Sequence, residues 1–221
     1  MTAVAIDGPA GAGKSTAARA AAKRLGFVYV DTGALYRAVG CHMRALGIPA
    51  GDARQVEKAL EGLEVSLEFS EGGQHVLLNG RDVTGELRTP EASLAASQFS
   101  ALPCVRSFLF GLQQQLAERH SVVMDGRDIG TVVLPKAQVK VFLTASPEER
   151  ARRRFEEMRQ KGENAEYQQV LEELQQRDYQ DAHRAVAPLK PAEDAVLLDT
   201  TGLSLQEVVE RLVALVNEKL K

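Results

Sequence analysis

The chain has no tryptophan, only two cysteines, and aromatic residues at just 5% of its 221 positions. Cys41 and Cys104 lie 63 positions apart without close Cys or His partners, which excludes a zinc knuckle and a disulfide-built module. Both stand in apolar, helix-like contexts and are expected to be reduced core residues. No run of about 20 uncharged apolar residues occurs, so no membrane span is expected. The first seven residues hold no Lys or Arg, so no signal peptide is expected and a cytoplasmic protein follows. A large charge excess is also missing: the net charge of −3 argues against a non-specific nucleic-acid or membrane binder. None of the four histidines, His42, His75, His120 and His183, has metal-ligand spacing or a nearby nucleophile, and all four read as structural.

What remains is an ordinary globular composition, 44% apolar and 26% charged. The length suits one large α/β domain, with or without a modest insert, and is too short for two independent cores. Nothing in it demands a partner chain, and a monomer is expected. Arginine outnumbers lysine, 18 to 9. A guanidinium fork matches phosphate and carboxylate oxygens, although a GC-rich genome explains the ratio equally well.

Short β-branched runs alternate with longer amphipathic ones. Ala3–Asp7, Phe27–Asp31, Ser121–Asp125, Val139–Leu143 and Ala195–Asp199 read as buried strands. Lys14–Leu25, Gly33–Leu46 and Ser204–Leu220 read as helices, the last with Ser204 as N-cap. Five apolar strands separated by helices imply a parallel sheet covered on both faces. Val65–Val83 breaks the rhythm: alternation, with turn signals at Glu71-Gly72-Gly73 and Asn79-Gly80, predicts short antiparallel strands. The expected organisation is therefore a core of residues 1–47 and 103–221, carrying a small α+β insert at 48–102. Arg159–Ala165 reads as a mobile loop.

Gly8-Pro9-Ala10-Gly11-Ala12-Gly13-Lys14-Ser15 fits G-x-x-x-x-G-K-[ST] between a strand and a helix. Such a turn points backbone N–H groups at an anion, and the helix N-terminus adds partial positive charge. Lys14 can reach the β- and γ-phosphates, and Ser15 can offer its hydroxyl to Mg²⁺. This is a nucleoside triphosphate site, but switches, motors and small-molecule kinases all share it.

The arginines divide those classes. Arg37 and Arg127 both follow parallel strands, at the carboxyl edge where open α/β sheets bind ligands. Arg177, Asp181 and Arg184 recur at i, i+4, i+7, as either a surface salt-bridge ladder or one stripe of a ligand site. Arg150, Arg153 and Arg154 share one side of a helix beside the expected mobile loop. They suit a lid over a triphosphate (residues 148–166), or an ordinary ion-paired helix with Glu156 and Glu157. A phosphate acceptor is already an anionic nucleophile near pH 7, so an Arg-rich, His-poor site favours it. With Asp128 as a base, a kinase of a small hydroxyl metabolite, of the shikimate type, remains an alternative. A non-catalytic nucleotide sensor is another.

These segments resemble the bacterial cytidylate kinases over nearly the whole chain. The resemblance rests on the cradle Gly8–Thr16, Asp31-Thr32-Gly33-Ala34-Leu35-Tyr36-Arg37, Ala95-Ala96-Ser97 to Arg106, Asp125-Gly126-Arg127-Asp128-Ile129-Gly130-Thr131-Val132-Val133, and Arg184-Ala185-Val186-Ala187-Pro188-Leu189. It implies a P-loop kinase fold with a helical lid and an enlarged nucleoside-monophosphate-binding insert. It implies transfer of the ATP γ-phosphoryl group to CMP or dCMP, with Mg²⁺. Gly8, Pro9, Ala10, Gly11, Ala12, Gly13, Lys14, Ser15 and Thr16 would hold ATP. Lys14, Arg127, Arg184, Arg153 and Arg154 would neutralise the transferring group. Thr32, Arg37, Arg127 and Arg184 would hold the CMP phosphate, Arg177 and Asp181 the ribose, and Ser97, Arg106 and Asp128 the base. Thr32 departs from a position where serine is common, with its hydroxyl retained.

Overall fold

The structure, a computed structural model, describes residues 1–70 and 73–221. Its elements in chain order are β1 (Ala3–Asp7), α1 (Lys14–Leu25), β2 (Val28–Asp31), α2 (Thr32–Ala45), α3 (Ala53–Leu60), β3 (Val65–Ser70), β4 (Gly73–Leu78) and β5 (Arg81–Asp82). There follow α4 (Pro90–Phe99), α5 (Pro103–Arg119), β6 (Val122–Gly126), β7 (Val139–Thr144), α6 (Pro147–Gln160), α7 (Tyr167–His183), β8 (Val196–Asp199) and α8 (Leu205–Lys219). The chain divides into two compact units, one of Met1 with Tyr29–His120 and one of Thr2–Val28 with Ser121–Lys221. The expected insert at 48–102 lies within the first of these stretches.

The parallel sheet runs in the order β2-β6-β1-β7-β8. β1 is central, pairing Ala5 with Met124 on one side and Ile6 with Val141 on the other. Its residues Val4, Ala5 and Ile6 are all buried, as a strand covered on both faces requires. Central placement matters because the turn that leaves β1 is the glycine cradle. At the far end of the chain, Ser204 and Glu207 form the capping box that starts α8.

In the Tyr29–His120 unit, a core around Leu35, Val39, Met43, Phe99 and Leu109 is built from α2, α4 and α5. β3, β4 and β5 form the expected antiparallel sheet. Asn79 and Gly80 both take positive φ, 50° and 79°, which is the primed hairpin turn that Asn-Gly favours. The first turn signal falls partly on Glu71 and Gly72, outside the described residues. His75 on β4 bridges Ser70 and Asp82 at 2.9 Å each, so this histidine stitches three strands. Cys41 and Cys104 are free thiols that pack, partly buried, against this core. Among the described residues no helix is long and apolar enough to cross a membrane.

Candidate active site

The turn between β1 and α1 is shaped by sterics. Gly8 takes φ 150°, and a Cβ there would lie 1.9 Å from the Leu143 carbonyl oxygen, so no other residue fits. Gly13 takes φ 83° as the N-cap of α1 and provides no side-chain cap. The first amides of α1 are thereby kept for an anion, where the helix dipole favours negative charge. Lys14 is buried and its Nζ donates to the Pro9 carbonyl at 2.7 Å. Burial and the Arg127 charge hold its ammonium well below the usual lysine range, opposed by Asp125, Asp7 and Asp181.

Ser15 Oγ donates to Asp125 Oδ2 at 2.8 Å, joining the start of α1 to the end of β6. A hydroxyl beside a carboxylate is a hard-oxygen pair of the kind Mg²⁺ takes when phosphates and water complete its shell, so these residues fit the ion. Asp125 did not emerge from motif spacing, since only the fold brings it beside Ser15.

The arginines of α6 have three different fates, although helical spacing placed Arg150, Arg153 and Arg154 on one side. Arg150 is buried; it donates to Ala145 O and Ala10 O, each at 3.0 Å, and pairs with Asp178 of α7 at 2.6 Å. It therefore fastens the cradle's own backbone. Arg153 reaches Thr200 O at 2.7 Å and Glu149 at 2.8 Å. Arg154 pairs with Glu157 on its own helix and is partly exposed. Ala12, Gly13, Thr16, Ala17, Arg153 and Leu205 are among the residues lining a cavity of about 190 Å³ beside the cradle. Its mainly apolar lining under a guanidinium suits a flat heterocycle attached to the phosphates. Periodicity marked the loop after β8 only as a strand end, so this cavity was not foreseen.

Beyond β6 the charges interlock. Arg127 Nε donates to Asp181 Oδ2 at 2.9 Å and its Nη1 to Gly126 O at 3.3 Å. Burial alone would raise Asp181, but Arg127, Arg177 and Arg184 outweigh it and hold the carboxyl below its ordinary range. Arg184 is not the third rung of a helical stripe, because α7 ends at His183 and Arg184 turns extended. Its Nη2 lies 3.5 Å from Asp128 Oδ1, its Nη1 lies 4.0 Å from Asp181 Oδ1, and its Nε donates to Ala187 O. Ala187 sits at φ 49°, a strained conformation for a residue with a Cβ, and Leu189 N donates to Asp181 O at 2.8 Å. Carboxylates thus hold the guanidinium groups in place before any anion arrives.

In the Tyr29–His120 unit, Asp31 organises the start of α2. Its Oδ1 accepts from Ala34 N at 2.9 Å and its Oδ2 from Arg37 Nη2 at 2.8 Å. Gln74 of β4 holds the Asp31 backbone from both sides, at 2.8 and 3.2 Å. Thr32 is buried at the first position of α2. Arg106 is buried, lies 5.6 Å over the Tyr36 ring and donates to Ser100 O at 3.3 Å. Ser97 is partly buried on α4.

A family model described as cytidylate kinase matches residues 4–218. A cytidylate kinase of Carboxydothermus hydrogenoformans is 49% identical over 216 residues, covering 98% of this chain and 97% of the relative. One of Caldicellulosiruptor saccharolyticus is 46% identical over 212 residues, covering 96% and 94%. Among solved structures, an uncharacterized protein from Eubacterium ventriosum shares the fold at 10% identity with a TM-score of 0.52, covering 98% of this chain and 99% of the other.

Proposed function

We infer, from the premise that this chain belongs to the cytidylate kinase family, that it transfers the γ-phosphoryl group of ATP to CMP and dCMP. The observation that carries the reading is that, within the Thr2–Val28 and Ser121–Lys221 unit, Lys14 of the cradle lies close enough to feel the charges of Arg127 and Asp181 in the Arg127–Asp181–Arg184 network. We read the two clusters as neighbouring anion sites. Neither the hydroxyl-metabolite kinase nor the nucleotide sensor gains support from the family assignment.

The mechanism is positioning and charge neutralisation. The acceptor is an anionic oxygen, so no general base is required. The barrier is repulsion between two polyanions that must meet in line, and preset guanidinium groups lower it. We assign the cradle Gly8–Thr16 to the ATP phosphates, the cavity beside it to the adenine, and Arg153 to the donor side. Ser15 and Asp125 would hold Mg²⁺, which would supply neutralisation of phosphate charge when bound. Arg154 is assigned to the donor through the family resemblance and must leave Glu157 to act. Through the family resemblance we assign Thr32, Arg37, Arg127 and Arg184 to the acceptor phosphate, Arg177 and Asp181 to the ribose, and Ser97, Arg106 and Asp128 to the base. Cytosine offers an amino donor at N4 to a carboxylate such as Asp128, whereas uracil offers an oxygen acceptor there. The reading carries with it a cytoplasmic monomer, which rests on composition alone.

A coupled assay of ADP release with ATP against CMP, dCMP, UMP and AMP tests this. CMP and dCMP should turn over well, with UMP lower by at least about tenfold. Equal turnover of UMP would refute the base reading, and no acceptor-dependent ADP release would refute kinase activity.

A further inference from the structure

Asp7, the last residue of β1, has no part in the assignments above. It is buried, and its carboxylate accepts two backbone N–H groups from a distant segment: Ile129 at 2.8 Å through Oδ1 and Gly130 at 2.7 Å through Oδ2. Those amides open a single π-helical turn, Ile129–Val133, in which Val132 N and Val133 N both donate to Asp128 O. The first amides of any helical turn lack partners within it, and a side chain at the N-cap usually serves them. Asp128 occupies that N-cap position and is a residue type suited to the task, yet it makes no side-chain cap bond. Its Oδ1 instead lies 3.5 Å from Arg184 Nη2.

We propose that Asp7 caps this turn in place of Asp128, a positioning residue whose two hydrogen bonds hold the Asp128 carboxylate in its base-reading orientation. A buried amide pair needs two acceptors, and a carboxylate is the side chain that offers both. With Asp7 filling that role, Asp128 need not turn back on its own backbone. Gly130 belongs to the same device: a Cβ there would lie 3.3 Å from Asp7 Oδ2 and 3.2 Å from Lys140 Cδ. The inference rests on Asp128 as the reader of the acceptor base.

The test is titration of CMP, UMP and ATP separately into folded Asp7→Asn, Gly130→Ala and Asp128→Asn proteins, with steady-state KM and kcat for each. Asn at position 7 keeps the volume but presents one acceptor, and turns an amide donor toward the other N–H. CMP binding should weaken by between about 10- and 100-fold, and the CMP/UMP preference should fall. ATP binding should change much less than CMP binding, because the Asp7 carboxylate bonds the 129–130 amides and makes no hydrogen bond to the cradle. Gly130→Ala should move the same quantities in the same direction by less, and it decides the matter if Asp7→Asn does not fold. A general structural role would weaken ATP and CMP alike. If Asp128→Asn loses the CMP/UMP preference while Asp7→Asn and Gly130→Ala keep it, the capping role of Asp7 is overturned and the base reading stands. If Asp128→Asn keeps the preference, the base reading fails and this inference with it.

Discussion

A carboxylate that must stay ionised inside a protein leaves a mark on stability. Burial pushes Asp7 up to about 6; the Gly130 and Ile129 amides oppose that, Asp128 adds to it, and Lys14 offsets part. The folded state therefore holds the Asp7 proton more tightly than the unfolded chain, whose Asp titrates near 3.8. The stability associated with that proton is complete below pH 4 and is lost as pH rises through about 6. Relative to Asp7→Asn, the unfolding free energy of the protein should fall by roughly 2 kcal/mol between pH 4 and 7. Denaturant unfolding of both proteins at four pH values measures it, and a difference that does not change with pH contradicts the expectation.

One helix shows how unequal chemically identical side chains become. Arg150 and Arg152 are two residues apart on α6. Arg150 is buried on two carbonyls and Asp178, whereas Arg152 is half-exposed between Glu149 and Glu156. Removing a buried partner strands the groups it satisfied; removing an exposed one returns its partners to water. Arg150→Met keeps much of the aliphatic volume but should cost about 2–4 kcal/mol and lower Tm by roughly 5–10 °C. It should also raise the KM for ATP, since Ala10 loses its anchor. Arg152→Met should stay within about 0.5 kcal/mol with unchanged KM. Thermal melts and ATP saturation curves for the pair decide between these outcomes. Similar effects from both variants would show that α6 is merely an ion-paired surface helix.

For the whole molecule, two ligands should leave two separable footprints. Any ligand that binds only the folded state stabilises it, by about 2.7 kcal/mol at a hundredfold excess over Kd. Hydrogen exchange with ATP and Mg²⁺ alone should slow the amides of Gly11–Thr16 and the cradle-facing turns of α6. CMP alone should slow Arg127–Val133 and Arg184–Leu189. Protection of one and the same set by both nucleotides would contradict separate donor and acceptor sites. The Tyr29–His120 unit carries its own core around Leu35 and Phe99, and its exchange without ligand gives the baseline for both experiments.

Local rules wrote much of this architecture in advance. Apolar runs placed β1, β6, β7 and β8, glycine spacing placed the cradle, Asn79-Gly80 placed the hairpin, and Ser204 placed the α8 cap, because each depends on residues within a turn or two. The motif around Asp125–Val133 and Arg184–Leu189 identified the family for the same reason: it is contiguous. What periodicity could not reveal was which long-range neighbour each charge would meet. Arg150 beneath Ala10, Asp125 beside Ser15, Gln74 on Asp31 and Asp7 at the 129–130 amides join residues that are 43 to 140 positions apart. A helical wheel assigns a side chain to a face, and only the packed fold decides what that face meets and which polar groups burial forces it to satisfy.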